Sequence, residues 1–333
     1  MAFAVFENWP LVENSAPRTI VIGPSRAGKT SLLCCLQHAS AQWRDRRDGI
    51  RSVVIQPRSD AMRDLLRDGR VAMIRHGKFE AKINATTNLG EFSFDLRIRR
   101  SMWFGWTLRN PRSWFALGDP PQRFTVWDTA GGVLLSQDAA EATSGEAAAQ
   151  RRSYLEQLRQ AKGLLLCIDV SGGNTTAGAV FASLPVLLAD LGTSVLPFSR
   201  LVVLLCKCDR LASGESKEDV DVADPIGAAT RLMTRGALQA LLDSMPEESE
   251  IAFGFASAFG FTVEDGSPNY NANTDGLKTF KEGDISENER SWVPYRVIEP
   301  FVYLATGHRC GLKVLRGRDS VPNDGGGGPV ASE

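Results

Sequence analysis

Gly23-Pro24-Ser25-Arg26-Ala27-Gly28-Lys29-Thr30 is the stretch whose residue types and spacing point most directly to chemistry. Glycines at its two ends let the backbone wrap until successive N–H groups face one point, and a helix beginning there adds its positive N-terminus. Such a cradle suits phosphate. In it Lys29 would bridge the β- and γ-phosphates of a nucleotide and the Thr30 hydroxyl would bind Mg2+, with Ser31 completing the candidate binding residues. A glycine-containing turn that happens to fit is the competing reading. The setting disfavours it, because the apolar run Thr19–Ile22 precedes the motif and an apolar helix, Ser31–Trp43, follows.

Two further sites stand at the ends of apolar runs. Trp127-Asp128-Thr129-Ala130-Gly131-Gly132 follows a predicted strand. A carboxylate there can hold Mg2+ directly or through water, and the Gly131 N–H can meet a γ-phosphate with no side chain between. The run LVVLLC leads into Lys207-Cys208-Asp209, and IAFGFA leads into Ser257-Ala258. An aspartate accepts both N1–H and N2–H of guanine, a paired contact that adenine cannot return. Lys207 could lie along the purine face and the Ala258 N–H could meet guanine O6. Any one of these motifs alone is weak, since a solvated Lys and Asp often follow a strand. Their order strengthens them, each standing where a doubly wound sheet binds ligands.

The elements that must position these residues can be read from the pattern. Strands are expected at Arg18–Ile22, Glu91–Arg99, Arg123–Asp128, Gly163–Asp169, Leu201–Cys206 and Ile251–Ala256, several of them continuously apolar as in a sheet covered on both faces. Helices are expected to begin at Lys29 and near Glu146, Phe181, Asp224 and Trp292. The fold class is therefore α/β, a three-layer P-loop NTPase (G domain) with a mostly parallel sheet and insertions. The domain is expected over 18–315, after an N-terminal extension at 1–17. Insertions fall at about 45–88, 101–121 and 262–290, the first with a strand at Ser52–Ile55 and a helix at Asp60–Arg67. The polar third insertion reads as a loop, and 316–333 reads as a disordered tail.

Composition agrees with an ordinary globular protein: 333 residues, 43% hydrophobic, net charge −1. Near-neutral charge gives no global field to recruit nucleic acid, and none is expected as a partner. No basic region precedes an apolar core at the start, so a cytoplasmic location is expected, with six cysteines as buried thiols.

Taken together, the motifs resemble those of Ras-like GTPases of the translation-factor class, in fragments from Arg18 to about Gly307. They also resemble double-GTPase proteins of bacterial conflict systems. The resemblance implies GTP and GDP as ligands, Mg2+ as cofactor, and slow hydrolysis in a molecular switch with a protein effector. It makes Gly23–Thr30 the first motif, Asp128–Gly131 the third, Cys206–Asp209 the fourth and Ser257-Ala258 the fifth. Lys29, Thr30, Asp128 and Gly131 then carry the chemistry. The second motif, a lone switch threonine on the metal, falls on Thr86 or Thr87, which read equally well as solvated loop residues. Two departures bear on activity. Cys206 stands where Asn or Thr is usual, implying a looser tie between base site and phosphate loop. Gly132 stands where relatives carry a water-orienting Gln, leaving Gln137 as a candidate. The alternatives are a non-hydrolysing nucleotide-dependent interaction module and an ATPase.

Arg97 to Phe115 interleaves five arginines with five aromatics and no acid. A docking surface for a protein or an anionic membrane is one reading, and a hairpin folding its aromatics onto the sheet is the favoured one. Cys206 and Cys208 have no second Cys/His cluster nearby, so no zinc site is expected. His38, His76 and His308 are isolated.

Overall fold

A computed structural model describes residues 18–24, 27–43, 50–79, 91–100, 121–127, 146–171, 192, 198–210, 216–233 and 235–316. Its centre is an eight-stranded sheet. In chain order the strands are β1 (Arg18–Ile22), β2 (Ile50–Pro57), β3 (Glu91–Arg100), β4 (Gln122–Trp127), β5 (Gly163–Asp169), β6 (Arg200–Cys206), β7 (Glu250–Ala256) and β10 (Lys313–Arg316), arranged β10-β7-β6-β5-β1-β4-β3-β2. A small hairpin supplies β8 (Tyr270–Asn271) and β9 (Gly276–Leu277). The pairs β4–β1, β1–β5, β5–β6 and β6–β7 are parallel, while β2, β3 and β10 add antiparallel edges. This is an α/β fold, a mostly parallel sheet with helices on both faces.

Burial explains the continuous apolar strands. Alternate residues of β5 point to opposite faces: Leu164, Leu166 and Ile168 join one core, and Leu165 and Cys167 the other. Helices α3 (Glu146–Gln160), α5 (Pro225–Met233) and α6 (Arg235–Asp243) contribute Leu158, Ala229 and Leu241 to the first core. Helices α1 (Lys29–Gln42), α2 (Asp60–His76) and α8 (Glu299–Thr306) cover the second. The short helices α4 (Lys217–Val222) and α7 (Ile285–Ser291) complete the set among the described residues. Helix α1 is apolar on most of its surface because α2 packs on its outer side. Helix α2 is delimited by local chemistry: the Ser59 hydroxyl accepts from Met62 N at its start, and Gly77 in a left-handed conformation closes its end.

Six strands lie within a residue of the expected positions. The stretch 45–88 contains β2 and α2, and β2 forms the sheet edge by pairing with β3. Two expectations need correction. A helix does not begin near Trp292, which instead caps the end of α7; Pro294 disfavours helical backbone before it, and the next helix starts at Glu299 with Pro300 in its first turn. The polar stretch 262–290 is not simply a loop, since it holds the β8–β9 hairpin and α7.

Buried asparagines organise that stretch. Asn288, 1% exposed, donates to Ile74 O at the end of α2 (3.0 Å) and to Lys281 O (2.8 Å), and accepts from Lys281 N (2.8 Å). Asn269 donates to Ser291 O and accepts from Thr279 N and its hydroxyl. These amides do for the backbone what a ladder does in a sheet, which is why polar composition here does not mean solvation. The helix expected near Phe181, the stretch 101–120 and the two termini lie outside the described residues. No helix among the described residues is long and apolar enough to cross a membrane.

Asn288→Ala removes the partner of three backbone groups, the buried Ile74 O among them, and should lower the unfolding free energy by about 2 kcal/mol, read by urea denaturation. Glu282→Ala, exposed on the same segment, should change it by less than about 0.5 kcal/mol. Equal effects would show that the asparagine anchors nothing.

Candidate functional site

The described part of the site is built where β1, β5, β6 and β7 end. Gly23 follows β1 directly and lies against β5: a Cβ on it would sit 2.4 Å from the Cys167 carbonyl oxygen, a collision only glycine avoids. Gly28 has φ 93° and precedes α1, so it too occupies backbone that other residues enter at a cost. Between them the chain turns with Ala27 N donating to Pro24 O at 3.2 Å. Lys29, 3% exposed, folds over this turn and donates to Gly23 O (2.8 Å) and Pro24 O (2.9 Å). Thr30 and Ser31 follow on the first turn of α1.

The fourth motif meets this loop by packing. A Cβ on Gly28 would lie 3.5 Å from Cys206 Cβ and 3.8 Å from Lys207 Cε. The Cys206 thiol itself points elsewhere, 3.6 Å from Leu204 O. Cys206 and the Lys207 stem thus stand beside the turn before α1, with room for little more than a glycine between. Lys207 has φ 61°, rare for a side chain with Cβ, a conformation that persists where surroundings hold it. Its ammonium is held by Asp169 at the end of β5 (2.5 Å). Asp169 also accepts from Ser171 N and Oγ. Burial works against its charge, but these donors hold its carboxyl below the ordinary value.

Asp209 is the unusual group. It sits in a short 3-10 turn after β6, 5% exposed, with Oδ2 buried and without a hydrogen-bond partner among the described residues. Burial raises its pKa, opposed by the Ser257 hydroxyl and by the more distant charges of Arg210 and Lys207. A small cleft opens beside it. Gly28 and Ser31 line one side, Lys207 and Asp209 the next, and Ala258 and Phe259 the third. First, fourth and fifth motifs are therefore brought to one cleft.

The stretch 262–290 forms an outer wall. The Arg210 guanidinium lies over the Tyr270 ring, 3.8 Å from its centroid, and pairs with Asp275 (3.2 Å), which also accepts from the Tyr270 hydroxyl. Phe259 packs on Tyr270 and on Phe79. Asp169, Arg210 and Phe259 were not singled out from the sequence. Only the position of Asp169 at a strand end next to the motif strands hinted at it.

Several candidates lie outside the described residues: Ser25, Arg26, Thr86, Thr87, Asp128, Gly131, Gly132 and Gln137, and all of Arg97–Phe115 beyond the end of β3. β4, which Asp128 follows, runs parallel to β1 with Val126 opposite Val21. Among the described residues no three His, Cys, Asp or Glu side chains gather closely enough to hold a metal.

No protein-family model matches the chain, and neither does any curated protein. Among solved structures it is similar to sup35 complexed with GDP, with 14% identity, a TM-score of 0.31, and coverage of 80% of this chain and 45% of that one. It is also similar to the signal recognition particle receptor SRb-GTP/SRX complex from Chaetomium thermophilum, with 12% identity, a TM-score of 0.32, and coverage of 74% and 95%. The chain thus spans less than half of the sup35 structure. At these scores the function rests on the geometry above.

Because burial raises the Asp209 pKa, its charge costs stability once pH rises through the folded value, and the cost vanishes in acid where both states are protonated. Asp209→Asn should therefore raise the melting temperature of ligand-free protein at neutral pH by a few degrees, about 1 kcal/mol, with the gain shrinking toward pH 3. A gain that is absent at pH 7, or constant down to pH 3, would contradict this origin.

Proposed function

We propose that this chain binds guanine nucleotide in the cleft between the phosphate loop and the β6 and β7 ends, and hydrolyses GTP slowly as a molecular switch. The observation that carries the reading is the buried Asp209 Oδ2 without a partner. An uncompensated buried carboxylate is costly, and a ligand presenting two adjacent N–H donors offsets that cost. Guanine presents N1–H and N2–H; adenine presents an acceptor at N1. With Asp209 on the base, the Lys207 stem covers one ring face, and Gly28 and Ser31 stand on the phosphate side of the same cleft.

Lys29 supplies the charge for the β- and γ-phosphates. Two of its three donors reach the loop carbonyls Gly23 O and Pro24 O, so its ammonium is already placed where phosphate oxygens would meet it. Mg2+ fits the available chemistry. It keeps several waters and takes few protein oxygens, so the Thr30 hydroxyl and the phosphates, with Asp128 after β4, make a sufficient set. Bound there it would neutralise charge on the phosphates. Switching would involve Thr86 or Thr87 and the segment from Gly131. A protein effector is the expected partner, and docking on an anionic membrane through Arg97–Phe115 is a lesser proposal.

Displacement of a fluorescent GDP analogue in Mg2+ tests the base site. GDP should compete about 100-fold better than ADP, and Asp209→Ala should bring the two within about threefold, because the wrong base leaves buried polar groups unpaired. Equal competition by ADP with wild type refutes the guanine assignment. Turnover is read separately: phosphate release from GTP should be slow, on the order of 10⁻³ per second, and lost in Lys29→Ala. Tight GTP binding with no release above that variant would make the protein a non-hydrolysing interaction module.

A further inference from the structure

We infer that Trp292 is a positioning residue for base recognition, holding the Ser257–Ala258 loop in register with the phosphate-loop helix; this rests on the guanine reading. The loop has no secondary structure of its own beyond isolated bridges. It is held by the strand-like segment after α7. Ser257 N donates to Tyr295 O (3.0 Å) and Tyr295 N donates to Ser257 O (2.9 Å). In a trans peptide the N–H of one residue points opposite to the preceding carbonyl. Tying the Ser257 carbonyl to Tyr295 therefore turns the Ala258 N–H away from the segment, the direction a base oxygen acceptor requires if it lies in the cleft that Ala258 lines.

Trp292 secures the next peptide. Its ring is 0% exposed, and its indole N–H donates to the Ala258 carbonyl at 2.8 Å. Both peptides flanking Ala258 are thus tied down, one on each side of the N–H that would meet the base. The other side of Trp292 belongs to α1. The His38 ring stacks on the indole at 4.3 Å with 5° between planes, and His38 Nε2 lies 2.7 Å from Trp292 O. Gln42 donates to the same oxygen at 3.1 Å. Helix α1 begins at Lys29, so one side chain spans the two halves of the cleft: the base loop on its indole nitrogen, the phosphate helix on its ring face and carbonyl.

A residue that only stabilises the fold would affect all nucleotides alike. One that positions the Ala258 N–H affects only bases carrying an oxygen at C6. Affinities of GDP, IDP and ADP should be measured for wild type and for Trp292→Phe, which keeps an aromatic stack but removes the donor. GDP and IDP are expected to weaken by about tenfold each, and ADP by less than about twofold. Equal weakening of all three, or no change for GDP and IDP, overturns the inference. If Trp292→Phe does not fold, Gln42→Met probes the tie from α1, with a loss of about threefold expected for GDP and IDP and again none for ADP; equal losses or none overturn it there too. Asp209→Ala run beside these separates the two ideas. Wild type without preference for GDP over ADP sinks the guanine reading and this positioning role together. A preference lost in Asp209→Ala yet intact in Trp292→Phe sinks the positioning role alone.

Discussion

Parallel strands that stop at the same level leave their last amides and carbonyls with no ladder to join, and the chain must turn there under constraint. In this protein Asp169, Cys206 and Ala256 stand in register across three neighbouring strands, and Val170 N reaches back to Cys206 O as the last rung. Every functional candidate among the described residues is a way of leaving that level. Gly23 leaves by lying against the β5 backbone, Lys207 by a left-handed turn pinned through Asp169, and Ser257 by pairing with Tyr295. The cleft is what remains between these exits.

That arrangement carries a cost at one place. Asp209 is buried without enough donors, while nearby charges are engaged elsewhere: Lys207 with Asp169, Arg210 with Asp275 and the Tyr270 face. In a low-dielectric setting a missing donor is felt in full, so this carboxylate is a liability to the fold by itself, and the proposed guanine site is the use that would offset it.

Much of this was legible in the sequence, and for definable reasons. Continuous apolar runs such as LLLCID can only be strands covered on both faces, and Gly-x-x-x-x-Gly-Lys-Thr between a strand and a helix has few other uses. Lys207, Asp209 and Ala258 stand out as candidates in the sequence because strand ends are where such sheets bind, and the structure brings them to one cleft. What stayed hidden depends on distant partners. Asn269 and Asn288 look like solvated loop residues until the backbone groups they satisfy, in one case 214 residues away, are seen. Trp292 looked like a helix start because an aromatic followed by apolar residues fits that pattern, whereas its indole N–H serves a carbonyl 34 residues earlier. Cys206 reads from sequence as a weakened hydrogen bond, and its packing against Gly28 is visible only in three dimensions.

The anchoring through Asn288 also bears on how such a protein can be rearranged over evolution or by an engineer. The segment 262–290 is fastened near its end to the last turn of α2, through Asn288 and Ile74 O, and four residues on Trp292 ties the chain to the loop after β7. Surface insertions are normally interchangeable parts, trimmed or swapped between homologues with little consequence. This one is a graft that has taken on both sides. Shortening it, or exchanging it without the matching end of α2, would remove the footing of the loop after β7, so the two regions should be inherited, and transplanted, as a single piece.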